Sequence, residues 1–179
     1  MKIFVDLDGV LCDFVQGACD AWDMPNPYTK PENFGNFDIA KVSGIPPEIF
    51  WKKCSGHEFW ANLPKTPDAD AIMERITFDL NDIAFLTANS LDPFSASGKL
   101  TWVKRHYPRF HRKVIITPAK HFIAHSNALL IDDRDENCRE FRAEGGRAIL
   151  LPRPWNSTHG QDVLAVLDAG LNYHVTTAS

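Results

Sequence analysis

Three apolar runs in this chain stop abruptly at polar residues, each at the same point of a repeating strand–helix pattern. Lys2 to Val5 ends at Asp6-Leu7-Asp8-Gly9, Ile83 to Leu86 at Thr87-Ala88-Asn89, and Ala128 to Ile131 at Asp132-Asp133-Arg134. Between them the periodicity turns helical: Val10, Leu11, Phe14, Val15, Ala18 and Trp22 share a face over 10–22, and Ala71, Ile72 and Ile76 do so over 68–79, opened by Pro67-Asp68. Leu100, Val103 and Tyr107 mark a further helix ended by Pro108. Val114 to Ile116 and Ala148 to Leu151 supply two more strands, with a helix carrying Phe141 and stopping at Gly145-Gly146 before the last of them. Residues 161–169 form a final helix. Short strands separated by helices predict an α/β fold, a parallel five-stranded sheet flanked by helices. The unbroken apolar run Leu129-Leu130-Ile131 suits a strand buried on both faces.

Residues 24–66 break the pattern. They hold Pro25, Pro27, Pro31, Pro46, Pro47 and Pro64 together with Phe34, Phe37, Phe50, Trp51, Phe59 and Trp60. No strand fits there, yet the stretch is too aromatic for a disordered linker. It reads as a small helical cap inserted after the first helix, over a core made of 1–23 and 67–179. A chain of 179 residues suits one core with such an insert. A net charge of -4 argues against a nucleic-acid polymer as partner, which needs a basic face. No apolar run approaches the ~20 residues of a membrane span, so no membrane partner is expected, and the opening Met1-Lys2-Ile3-Phe4-Val5 is too short for a signal peptide. Cys12, Cys19, Cys54 and Cys138 show no paired spacing, which predicts free buried thiols and a cytoplasmic protein.

The strand ends carry the chemistry. In an open α/β sheet the carboxyl ends of the strands form the ligand crevice. Asp6 and Asp8 can point into one space, and Asp132 and Asp133 from a neighbouring strand bring it to four carboxylates. Alone, Asp-x-Asp is commonly a turn device and Asp-Asp a helix cap; together, each at a strand end, they form a cluster that repels itself unless a cation neutralises it. Hard oxygen donors select magnesium rather than zinc. His57, His106, His121 and His125 have no ligand spacing tied to these carboxylates and read as surface or packing residues.

Phe4-Val5-Asp6-Leu7-Asp8-Gly9-Val10-Leu11 resembles the first motif of the haloacid dehalogenase (HAD) superfamily of phosphohydrolases. Leu86-Thr87 fits the second motif, Lys120 the third and Ile131-Asp132-Asp133-Arg134 the fourth. More narrowly, Asp8 to Phe14, Phe59 to Pro67, Gly98 to Val103 and Lys120 to Asp133 resemble the 5′(3′)-deoxyribonucleotidases, and Pro154-Trp155-Asn156 resembles their bacterial and phage members. The likeness covers essentially the whole chain. It departs at Ala88, where the family usually has a small hydroxyl residue.

The resemblance implies a HAD-like Rossmannoid core and a magnesium-dependent phosphomonoester hydrolase acting on (deoxy)nucleoside monophosphates. Another small phosphorylated metabolite, or a non-catalytic nucleotide-binding module, are the alternatives. Asp6 is then the nucleophile that forms an aspartyl-phosphate, and Asp8 the acid for the leaving alkoxide and later the base for water. Magnesium is implied on the Asp6 carboxylate, the Asp8 main-chain carbonyl and Asp133, with Asp132 as an orienting neighbour; the doublet leaves open which of the two is the direct ligand. Gly9 lets backbone approach phosphate, Thr87 offers its hydroxyl, and Lys120, preferred over Lys113 and Lys99, supplies the cation. Arg134 is expected to brace the carboxylates. Phe14, Phe37 and Trp60 are the expected contacts to a nucleobase. A homodimer is left open.

Overall fold

The computed structural model describes residues 1–78 and 82–176. β1 (Lys2–Val5) is followed by α1 (Phe14–Trp22). Two 3-10 turns, Pro27–Thr29 and Pro31–Asn33, lead to α2 (Ile39–Ser43), α3 (Pro47–Lys53) and α4 (His57–Ala61). Then come α5 (Ala69–Thr77), β2 (Ile83–Thr87), α6 (Ser95–His106), β3 (Val114–Ile116), β4 (Ala128–Asp132), α7 (Asp135–Ala143), β5 (Arg147–Leu150) and α8 (Val163–Thr176).

The five strands form one sheet in the order β3-β2-β1-β4-β5, with every pair parallel. This is the expected architecture, and the register explains the crevice. Val5 pairs with Phe85 on one side and Ile131 on the other, so Asp6, Thr87 and Asp132 leave the sheet at one edge. Alternation of side chains assigns the two faces. Ile3, Val5, Phe85, Leu129 and Ile131 pack with Ile72 of α5, Trp102 of α6 and Leu167 of α8, while Phe4, Leu86, Leu130 and Ala148 pack against Cys138 and Phe141 of α7.

Two helix boundaries differ from the sequence pattern. The first helix begins at Phe14 rather than Val10, because the Asp13 carboxylate caps it by accepting from Gln16 N (2.9 Å). Val10 and Leu11 are buried in a tight turn, where the amides of Leu11 and Cys12 both donate to Leu7 O. The last helix runs on past 169 because Gly170 allows close packing on β5: a β-carbon there would stand 2.7 Å from Ile149 Cδ1. Asp79, the expected end of the helix opened at Pro67-Asp68, lies outside the described residues, and α5 is helical to Thr77.

Between α1 and α5 the described elements are all helical. Tyr28, Ile39, Ala40, Phe50 and Cys54 pack on Val15, Ala18 and Cys19 of α1 and on Trp155, whereas Trp60 and Leu63 join the sheet's own core. All four cysteines are buried and free. Among the described residues no helix is long and apolar enough to cross a membrane.

Candidate active site

The strand ends converge on one buried cluster. Ligand oxygens of Asp6, Asp132 and Asp133 lie within 4.8 Å of one another, and all three residues are buried. Lys120, 2% exposed, sits among them, its Nζ 2.7 Å from Asp132 Oδ2 and 2.9 Å from Asp6 Oδ1. The contact to Asp6 is an ion pair without hydrogen-bond alignment, so Asp6 Oδ1 is a buried oxygen with no hydrogen-bond partner among the described residues. Burial, with the charges of Asp132 and Asp8, pushes the Asp6 carboxyl up to about 6 although Lys120 pulls it down. Asp133 is raised well above the usual carboxylate range, by burial first and then by Asp132 and Asp6. Burial disfavours the Lys120 ammonium, but Asp132 and Asp6 outweigh it and hold its pKa above the ordinary lysine value. Three carboxylates and one ammonium leave two negative charges, the charge of one divalent cation. The oxygen donor set, its burial and the orphaned Asp6 oxygen all fit a hard ion such as magnesium.

Asp132 is fully committed. Besides Lys120 it accepts from Arg134 N (2.9 Å) and from Asn137 Nδ2 on both oxygens (3.1 Å each). The Arg134 side chain does not brace these carboxylates as expected. It is half-exposed at the start of α7, pairs with Glu136 (2.5 Å) and lies over the Phe37 ring at 4.8 Å, facing the cavity mouth. Asn137, one turn into α7, does the bracing.

Asp8 stands apart from the three-carboxylate group. Its Oδ2 accepts a hydrogen bond from Lys99 Nζ, and its Oδ1 is buried with no hydrogen-bond partner among the described residues. Lys99, 1% exposed, also donates to Thr87 Oγ1 (3.1 Å) and Ala88 O (2.5 Å). Thr87 is therefore fully buried with its hydroxyl oxygen on Lys99, while Ala88, Asn89 and Ser90 line the cavity. Sequence makes Lys99 a rival phosphate ligand, and the signal for its buried role is a lysine sharing a helix face with the core residues Trp102 and Val103.

The turn after Asp8 is held from outside. Gly9 adopts φ +74°, and a β-carbon there would stand 2.0 Å from Asp133 Oδ2, so this position requires glycine. Arg153 donates to Gly9 O (2.5 Å) and Val10 O (3.2 Å) and makes a two-pronged ion pair with Asp68 (2.7 and 2.8 Å). Thr66 Oγ1 donates to Val10 O (2.8 Å).

A cavity of about 470 Å³ opens over Asp6, Asp8, Lys120 and Asp133. Phe14, Phe37 and Trp60 all line it, together with Tyr28, Trp51 and Trp155, which are not among the expected base contacts. Phe14 stacks on both Trp51 (5.6 Å, 24°) and Trp60 (5.5 Å, 20°). Trp60 is 2% exposed and ties its indole N–H to Asp92 (3.0 Å), whereas Trp51 is 41% exposed. None of the histidines lines the cavity.

A parallel sheet in this order, with an aspartate pair after its central strand and a lysine and an acidic doublet from the neighbouring segments, defines a HAD-like hydrolase. Solved structures agree on the fold: a HAD family hydrolase from Deinococcus radiodurans (TM-score 0.56, 14% identity, 94% of this chain and 87% of that one) and the L-2-haloacid dehalogenase of Xanthobacter autotrophicus (0.53, 12%, 98% and 87%). The family model described as 5′ nucleotidase, deoxy (Pyrimidine), cytosolic type C protein matches residues 1–168, and the chain belongs to that family of phosphomonoester hydrolases. It is similar to the mitochondrial 5′(3′)-deoxyribonucleotidase of Mus musculus (27% identity over 146 residues), covering 76% of this chain and 66% of the mouse protein. A putative 5′(3′)-deoxyribonucleotidase of Bordetella pertussis is 29% identical over 168 residues, 87% of this chain and 86% of that one. The cytosolic-type 5′(3′)-deoxyribonucleotidase of Homo sapiens is 29% identical over 146 residues, 75% and 71% of the respective chains.

Proposed function

We propose that the protein is a magnesium-dependent 5′(3′)-deoxyribonucleotidase that hydrolyses deoxynucleoside monophosphates through an aspartyl-phosphate on Asp6. The observation that carries this reading is the buried Asp6–Asp132–Asp133–Lys120 cluster beneath an aromatic-walled cavity, with a separate carboxylate, Asp8, beside it. Names of the relatives support the substrate class. The cavity volume is within the range of small-molecule sites. In this reading residues 24–66 cap a catalytic core of 1–23 and 67–179, and the protein works in the cytoplasm, as the human relative's name says of that protein.

Asp6, Asp133 and the Asp8 main-chain carbonyl would hold the magnesium ion, which when bound would neutralise phosphate oxygens and lower their repulsion of the nucleophile. An Asp6 oxygen attacks phosphorus as the ester P–O bond breaks. Asp8 gives its proton to the departing sugar oxygen, then takes one from the water that attacks the aspartyl-phosphate, which restores Asp6 and frees phosphate. Its two oxygens divide the work: Oδ2 is held by Lys99, so the unpartnered Oδ1 carries the proton. Lys120 stabilises negative charge at the nucleophile. The exposed faces of Trp51 and Phe37 receive the base, with Phe14 and Trp60 behind Trp51.

The test is a panel of nucleoside 5′- and 3′-monophosphates, ribose and deoxyribose forms, sugar phosphates and p-nitrophenyl phosphate, with magnesium or with chelator. Magnesium-dependent release of phosphate, fastest from deoxynucleotides, is expected. Preference for a sugar phosphate would overturn the substrate class, and undiminished turnover in chelator would overturn the metal.

A further inference from the structure

The segment 151–157, which follows β5, is the remaining sequence motif without a role in this chemistry. It touches the site at several independent points. Arg153 holds the carbonyls of Gly9 and Val10. Pro154 O accepts from Gly35 N (2.8 Å) and the Trp155 ring packs on Tyr28 (5.4 Å), so the segment also reaches the helical insert. Asn156 Nδ2 donates to Asp133 O (2.8 Å) and Leu151 O (2.6 Å), fixing the backbone of the acidic doublet to the end of β5. Trp155 Nε1 donates to Asp133 Oδ2 at 2.6 Å, with both residues buried.

This last contact bears on the ion. Among the described residues the Asp133 side chain accepts no other hydrogen bond, in contrast with Asp132, whose oxygens are all engaged. A carboxylate held on one oxygen presents the other in a fixed direction, and such outer partners set the orientation and basicity of metal ligands. The indole is suited to the task because it donates and cannot accept or ionise, so it competes with no carboxylate for the cation. Gly9 closes the other side of Asp133 Oδ2, leaving that oxygen no room to turn away.

We infer that Trp155 is a positioning residue that fixes Asp133 for the divalent cation, so that the indole N–H sets the protein's affinity for magnesium. The inference rests on the magnesium reading of the same site. Trp155→Phe keeps an aromatic ring against Tyr28 and removes the N–H. Calorimetric titration of substrate-free full-length protein with magnesium chloride measures affinity directly, and circular dichroism melts of the metal-free protein measure folding. The expected result is magnesium binding weakened about 10–100-fold, a melting temperature of the metal-free protein close to wild type, and turnover that recovers at high magnesium with KM for nucleotide little changed. Affinity within twofold of wild type would overturn the inference. Should Trp155→Phe fail to fold, 3-benzothienylalanine placed at this position replaces only N–H by sulfur in a ring of nearly equal shape, and the same two results decide. Wild-type protein that binds no magnesium would overturn the metal reading itself, an outcome distinct from equal binding by wild type and variant.

Discussion

Replacing Lys120 by methionine is the sharpest perturbation of the site, because it removes one charge and almost no volume. The ammonium is the cation in contact with two buried carboxylates, at 2.9 Å from Asp6 and 2.7 Å from Asp132. Without it Asp6, Asp132 and Asp133 face one another with ligand atoms inside 4.8 Å. Removing one partner of a buried ion pair costs about 3–5 kcal/mol, since the other is left uncompensated. In a protein of this size 1 kcal/mol moves Tm by about 2–4 °C, so a loss of about 6–20 °C is expected at pH 7.5 in chelator. Magnesium should restore much of it by supplying the missing positive charge, and acidification should do so by protonating a carboxylate. Thermal melts of wild type and Lys120→Met, with and without magnesium at two pH values, measure all three effects. A metal-free variant melting within about 2 °C of wild type would refute the charge-balance reasoning, whatever its activity.

Asp6→Asn should reduce turnover below about a thousandth of wild type in deamidation-free preparations, read by phosphate release. Because the folded Asp6 carboxyl is raised to about 6, the metal-free folded state holds a proton there that the unfolded chain has lost, so stability falls as pH rises from about 4 through 6. Asp6→Asn should therefore melt above metal-free wild type at pH 7.5, by on the order of 3 kcal/mol, with the gap closing toward pH 5; a gap independent of pH would count against it. Gly9→Ala should weaken magnesium binding and turnover together, measured by titration and phosphate release, since its methyl group meets Asp133 Oδ2 in a backbone region costly for alanine. Trp51→Ala should lower kcat/KM for nucleotides but not for p-nitrophenyl phosphate, whereas buried Trp60→Ala should cost about 3–5 kcal/mol of stability and depress both; the reverse assignment in a two-substrate assay with melts would show the base lies elsewhere.

The parallel sheet and the three polar strand ends were legible because strand burial and strand termination are local properties of sequence. Helix starts were less so: Val10 and Leu11 continue an apolar helical pattern, but Asp13 caps the chain three residues later than the pattern begins. Lys99 was visible as a residue and not as a partner of Asp8, since the contact spans 91 positions. Arg134 shows the opposite failure. Its place beside the acidic doublet suggested a brace, yet the backbone turns its side chain to Glu136 and Phe37 while Asn137 reaches Asp132. Aromatic residues of 24–66 announced a packed insert, but spacing does not tell a covered tryptophan such as Trp60 from an exposed one such as Trp51.

The clamp of Arg153 on Gly9 joins residues 144 positions apart, and that separation becomes a delay during synthesis. At roughly 5–20 residues per second, the turn after Asp8 leaves the ribosome about 7–30 s before the guanidinium that holds it. During that interval the nascent chain carries Asp6, Asp8, Lys99 and finally Asp133 without the guanidinium on the Gly9 and Val10 carbonyls. The Arg153 clamp on the turn after Asp8 therefore closes only once the segment after β5 has emerged and folded back. A fragment ending before residue 151 carries every acidic residue of the site yet lacks both the guanidinium on the Gly9 carbonyl and the indole on Asp133.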